Sequence, residues 1–199
     1  NQYRLTKYDI ITEKGEKWMD EVAVETFNMT GQFEDVNVMG LEPYENLTNC
    51  TAAPYASYLL NKESMNEKDL NNAIDLIRLS EDQFTFWNTT PNEYGLRMMA
   101  TPCVFEQYKY QKPVDHSAHN VAMAFLDLYE KTGDKLAFAK AKALVDNMTI
   151  VQNKGNGQMP TTWDFRTPYH DSNRSFWTNC TYAAVTALLR MAEITENEK

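Results

Sequence analysis

The sequence predicts an all-α fold built of antiparallel helical hairpins, about three of them. Two observations carry most of this expectation. Residues 113–152 read as two amphipathic helices joined by a minimal turn. The tetrapeptide Thr-Asn-Cys-Thr occurs twice, at 48–51 and 178–181, each time opening an apolar helical pattern. A third observation, the spacing of helix openings, turns one hairpin into a repeat.

In the hairpin, Val114, Ala118, Val121, Phe125 and Leu128 recur at helical spacing, widened by Ala122 and Tyr129. Gly133 then supplies the residue a helix end accepts in the left-handed region, and Asp134 can cap the next amide end. The second helix carries Leu136, Ala137, Ala141, Leu144, Met148 and Val151 on one face, with Lys135, Lys140, Lys142 and Asp146 largely on the other. Two helices so closely joined must lie antiparallel.

Taken in order, residues 16–29 have helical character through Trp18, Val22, Val24 and Phe27, ending at Thr30-Gly31. A polar loop leads to Thr48, and an apolar run through Tyr55 and Leu59 predicts a helix over 48–61, with Pro54 tolerated near its start. Asn66 can cap a long helix over 66–87 carrying Leu70, Ala73, Ile74, Ile77, Phe84 and Trp87. The hairpin helices span 114–132 and 134–152, and a last helix spans 178–195. Ala53 and Leu59 match Ala183 and Leu189 at the same offset from the two tetrapeptides. Openings near 48, 114 and 178 set a period of roughly 65 residues. Helix 16–29 is then a second helix, whose first helix precedes the chain or is 178–195 closing a ring. In that case the two pack side by side.

Composition excludes several classes. The 199 residues are 43% hydrophobic and 12% aromatic, which is globular, and the net charge of −9 repels phosphate backbones, so nucleic acid is not an expected partner. No apolar run is long enough for membrane insertion. The chain begins at Asn1 without a methionine, which reads as a processed product or a cut domain, and its first four residues lack the apolar core of a signal peptide. Cys50, Cys103 and Cys180 have no metal-ligand spacing. Seven Asn-x-Ser/Thr triplets, some inside expected helices, read as background composition. No phosphate loop, serine-hydrolase elbow or Cys–His pair is present, and no cofactor is expected.

In stacked hairpins all links of one kind emerge on one face. Here the short links join first to second helices, while the links back are about 16 to 25 residues long, the length of functional loops. That face also presents the amide ends of the first helices. Loop 153–177 holds Trp163, Asp164, Arg166, Tyr169, His170, Asp171 and Trp177; loop 88–112 holds Glu93, Arg97 and Glu106, with Trp87 at its entrance and Asp115 just beyond. Aromatic faces with carboxylates and guanidinium forks suit a carbohydrate ligand: rings stack on C–H faces, forks bind hydroxyls, and paired acids handle protons. The candidate catalytic acids are Asp164 and Asp171, with Glu93 and Glu106 in reserve. Trp163, Trp177, Tyr169, His170, Arg166, Arg97, Trp87 and Asp115 are the candidate binding residues. The plainer alternative is a loop whose aromatics pack it down and whose charges pair with one another. Asp115, His116 and His119 lack the third ligand zinc needs, so no metal is assigned. Asp115 is expected to cap helix 114–132, with His116 or His119 lining the cleft.

Several stretches resemble the α/α-toroid superfamily, the six-hairpin glycosidase-like proteins. They are Leu126-Asp127-Leu128-Tyr129-Glu130-Lys131-Thr132-Gly133-Asp134 with Ala139–Leu144, the exit Gly157-Gln158-Met159-Pro160-Thr161, and Trp177-Thr178-Asn179. The resemblance covers mainly 102–195 and implies a toroid or partial toroid binding sugar at the long-loop end. It carries no catalytic role onto particular residues. About six helices make half of a six-hairpin barrel, so further hairpins of a longer chain, or a second copy, are implied partners. Two functions follow: a glycoside hydrolase-like enzyme acting on oligosaccharides, or a non-catalytic carbohydrate-binding or protein-interaction domain on the same scaffold.

Overall fold

The computed structural model describes residues 6–26, 51–88, 101–106, 113–152, 156–162 and 176–197. They form α1 (Thr6–Trp18), a π-helical turn over Met19–Ala23, α2 (Val24–Thr26), α3 (Ala52–Leu60), α4 (Glu67–Phe84), α5 (Asp115–Thr132), α6 (Lys135–Ile150) and α7 (Thr178–Asn197). A small antiparallel ribbon joins β1 (Thr85–Phe86) to β2 (Cys103–Val104). Among the described residues the fold is all-α apart from this ribbon and two isolated β-bridges. Among the described residues no helix is long and apolar enough to cross a membrane.

The hairpin α5–α6 forms where its sequence places it. Gly133 takes φ 73° as the C-cap of α5, and its amide bonds the Tyr129 carbonyl at 2.7 Å. Asp134 caps α6, its carboxylate accepting from the Leu136 amide at 2.8 Å. The hairpin α3–α4 has an equally specific joint. Asn66 accepts from the Asp69 amide, and the Asp69 carboxylate accepts from the Asn66 amide, both at 3.0 Å.

Helix α5 lies at the centre, packed on α3, α4, α6 and α7. Its Ala118, Ala122 and Ala124 are small enough for neighbouring backbones to approach closely, while Val121, Phe125 and Leu126 fill the space between them. Asp127 is 2% exposed in this apolar surround, and Arg190 of α7 reaches it and Glu130 together. Lys140 of α6 pairs with Glu81 of α4 and lies over the rings of Trp87 and Phe125.

The first helical segment is longer than expected. It starts at Thr6 and not near 16, because Gly15 costs an exposed helix only about 1 kcal/mol and does not stop it. Residues 27–29 lie outside the described residues. The side chains of α1 and its π turn meet α3 and α4: Tyr55 donates to Asp20 at 3.0 Å, Lys68 pairs with Asp20, and Glu16 accepts from Tyr58 and Lys62. The expected helix to 87 ends instead at Phe84. Thr85 turns extended, its hydroxyl bonding the Ser80 carbonyl at 3.0 Å, and Thr85-Phe86 pair with Cys103-Val104, as β-branched and aromatic residues favour.

Two glycines test the backbone argument with opposite signs. A methyl group at either Gly133 or Gly15 would meet nothing within 4 Å, so packing does not contribute. Gly133→Ala should cost about 1 kcal/mol, since φ there is left-handed. Gly15→Ala should stabilise by up to about 1 kcal/mol, since the site is helical. Urea unfolding followed by helical ellipticity reads both; shifts in the same direction would refute this account.

Candidate functional site

The described parts of the links before α5 and α7 meet at the amide ends of those two helices. Backbone bonds stitch them in a row: Phe105 to the Phe84 carbonyl at 2.8 Å, Val114 to the Val104 carbonyl at 2.9 Å, and Asp115 to the Thr161 carbonyl at 3.3 Å. Phe105 also pairs with Pro113, and Val114 with Thr162, as isolated β-bridges. Segments distant in sequence are thus fixed around one helix start.

Thr161 is the knot. It is nearly buried; its carbonyl accepts from Asp115, and its hydroxyl accepts from the Trp177 amide at 2.7 Å, tying the start of α5 to that of α7. Two residues earlier, the Met159 amide donates to the Thr181 hydroxyl at 3.1 Å. The exit motif 157–161 and the second Thr-Asn-Cys-Thr are therefore bonded to each other. Thr161 and Thr181 were not expected as site residues, although both lie in motifs the sequence makes visible.

Of the expected catalytic acids, Asp164, Asp171 and Glu93 lie outside the described residues, as do Trp163, Tyr169, His170, Arg166 and Arg97 among the binding residues. The others are placed as follows. Asp115 is fully buried and is the first residue of α5; the N-cap is Val114, which makes no side-chain cap bond, so the expected capping role is corrected. A carboxylate in the first turn is still favoured by the helix dipole. Trp177 stands 50% exposed at the start of α7. Glu106 is partly buried just past β2, and its charge reaches the same place as that of Asp115: both raise the thiol of Cys180, after burial, the larger cause. The Thr161 hydroxyl and the His116 backbone oppose the rise. Trp87 lies elsewhere. Its ring packs 6.2 Å from that of Phe125, ten residues along α5 from Asp115 and thus ~15 Å away along the axis.

His116 is half-buried, and its Nδ1 lies 3.3 Å from the Asn120 amide, which can only donate; the neutral ring then carries its proton on Nε2. Its ordinary pKa is lowered by burial. His119, one turn on, is pushed down to about 4 by burial, with the charges of His116 and Arg190 adding to the effect and a bond to the Ala183 backbone opposing it. It belongs to the α5–α7 seam. Among the described residues no group of three potential metal ligands comes together.

A groove of about 380 Å³ opens elsewhere, between α4, α5 and α6. Ile77, Arg78, Phe125 and Lys140 line it along the C-terminal half of α5, and none of the expected site residues that are described lines it. It is a gap in outer-helix packing.

Comparison of the chain with protein-family models, with curated proteins and with solved structures gives no match.

The seam histidine sets a pH dependence. Its folded pKa lies below its unfolded value of 6.5, so stability is full above pH 6.5 and falls as pH drops towards 4, where only the unfolded state takes up the proton readily. Replacing His119 by Gln should remove on the order of 2 kcal/mol of this loss between pH 6.5 and 4. Parallel urea titrations of both proteins measure it; identical pH slopes would contradict a His119 held neutral in the seam.

Proposed function

We propose that the protein is carbohydrate-active and takes an oligosaccharide at the long-link face, on an arc of an α/α toroid whose first helices are α3, α5 and α7. One observation supports this most: half-exposed Trp177 is tied through its backbone amide to Thr161, whose carbonyl accepts from buried Asp115 at the start of α5, and the charges of Asp115 and Glu106 both reach Cys180 there. An aromatic plane next to carboxylates at helix amide ends is the chemistry a sugar ring calls on. The arc is supported by the packing order, in which α5 touches α3 on one side and α7 on the other while α4 and α6 complete the hairpins.

The reaction is glycoside hydrolysis. One carboxylic acid gives its proton to the glycosidic oxygen, and a carboxylate about 5 to 10 Å away either takes a proton from water or attacks the anomeric carbon. Asp164 and Asp171 are the first choice for the pair, with Glu106 and Glu93 in reserve. A binding module without catalysis is the second reading, favoured by the complete burial of Asp115, which suits an acid that orders the helix start.

A glycan panel scored for binding and for release of reducing ends separates the two. For the enzyme, Asp164→Asn or Asp171→Asn should lower kcat by about 100-fold or more with the fold intact, and Trp177→Ala should weaken binding. Parental rates in both Asp variants and in Glu106→Gln would refute the assignment of the acids. Binding that survives them but fails in Trp177→Ala would establish the module.

A further inference from the structure

The first helical segment is rooted in the core at one end only. None of the side chains described over residues 8–18 belongs to the buried core, which begins in the next turn, with Met19 packed against it and Ala23 and Val24 inside it. An isolated helix shorter than about 12–15 residues is marginal in water, and Gly15 weakens this one further. The helical form of α1 therefore depends on contacts made outside the core. Between α1 and its root lies the π turn over Met19–Ala23, where the Val24 amide bonds the Met19 carbonyl five residues back and the α-helical register is interrupted.

The contacts that fasten α1 are polar, and they gather on Glu16 and, one turn on, Asp20. Tyr55, Tyr58 and Lys62 lie along one face of α3 and its last turn, at three-then-four spacing. Glu16 accepts from Lys62 and from the Tyr58 hydroxyl at 3.4 Å. Asp20 accepts from the Tyr55 hydroxyl at 3.0 Å and from Lys68 of α4 at 3.2 Å. Lys62 is shared, since it also bonds Asp69 at 3.0 Å, the buried acid that closes the capping box at Asn66. Glu16 is thus plugged into the joint of the α3–α4 hairpin. Burial first, and then the bond to Asp20, holds the Tyr55 phenol well above its ordinary range.

We propose that α1 is a strap that opens and closes as a unit at the π turn, latched by Glu16 on Lys62, while Ala23 and Val24 stay in the core. Closed, the strap is helical; released, it loses its helix, so its docking and its folding are one event. Ionic strength is the lever, because the latch is made of charges at the protein's edge, where Lys68 is 62% exposed and salt screens it. The strap sits at the short link between α3 and α4, and it stands independently of the sugar reading.

Native-state hydrogen exchange of the full chain, read peptide by peptide, tests it. In the parental protein the amides of 10–18 should be protected, yet open more readily than those of 121–128 in α5. Glu16→Ala installs a better helix former while removing the latch, so it separates latching from intrinsic helicity. It should speed exchange over 10–18 by about 10-fold or more and leave 121–128 unchanged. Glu13→Ala, at an exposed position of the same helix outside the latch, should leave exchange over 10–18 as it is or slow it. Raising salt from about 0.1 M to about 1 M shortens the screening length from about 10 Å to about 3 Å and should speed 10–18 alone. The proposal is overturned if 10–18 exchange like a free peptide in the parental chain, or if they open only together with 121–128. It is overturned equally if Glu16→Ala or added salt leaves them at the parental rate.

Discussion

Burying most of α5 against four other helices is the constraint from which the rest of the structure follows. Packed on α3, α4, α6 and α7, α5 reaches solvent only along a partly exposed edge at His116, His119, Asn120 and Met123 and over its last turn, and elsewhere its sequence answers with alanines and with Val121, Phe125 and Leu126 between them. The one acid in its middle, Asp127, would be very costly alone in that environment. Arg190 answers it from α7 and shares its guanidinium with Glu130 at the solvent edge. The pair therefore fixes where α7 lies along α5, more than it adds to stability.

The same constraint organises the long-link end. A central helix exposes its first amides only at its start, so every segment that satisfies them must converge there. Thr161, Val104 and Val114 do so through backbone bonds, and the ribbon of 85–86 with 103–104 exists because those segments lie side by side on their way to that point. The candidate site is therefore a consequence of the core: its residues gather where the central, largely buried helix must be terminated.

Much of this was legible in the chain, and the division follows the range of the interactions. The turn at Gly133-Asp134 and the capping box at Asn66–Asp69 rest on neighbours within a few residues, and each formed with its bonds in place. The ribbon, the Asp127–Arg190 pair and the anchoring of α1 through Glu16 and Asp20 join residues far apart, and periodicity carries no signal for them. The start of α1 was not legible: the pattern predicts a helix only from residue 16, whereas it runs from Thr6 straight through Gly15. Residue types pointed to Trp177, Glu106 and Asp115, and all three lie around one helix end. Trp87, chosen by the same criterion, packs against Phe125 instead, since an aromatic ring serves a core as readily as a ligand. Asp164, Asp171 and Glu93 lie outside the described residues.

The two buried thiols narrow the chemistry open to this face. Cys103 is pushed up to about 12, first by burial and then by the charge of Asp115, and Cys180 is raised for the same two reasons with Glu106 adding to them. Both therefore stay protonated at neutral pH, and a thiol without its thiolate is a poor nucleophile. His119 lies partly buried in the α5–α7 seam, where burial first and the charges of His116 and Arg190 after it hold the ring neutral at pH 7. Among the described residues that leaves Glu106, His116 and the Trp177 ring as the groups with chemistry to offer at the helix start. A carboxylate, a half-buried imidazole and an exposed aromatic plane favour proton handling beside a stacked ring over covalent thiol catalysis. Asp115, buried at the first turn of α5, adds its charge to burial, the larger cause, in raising both thiols.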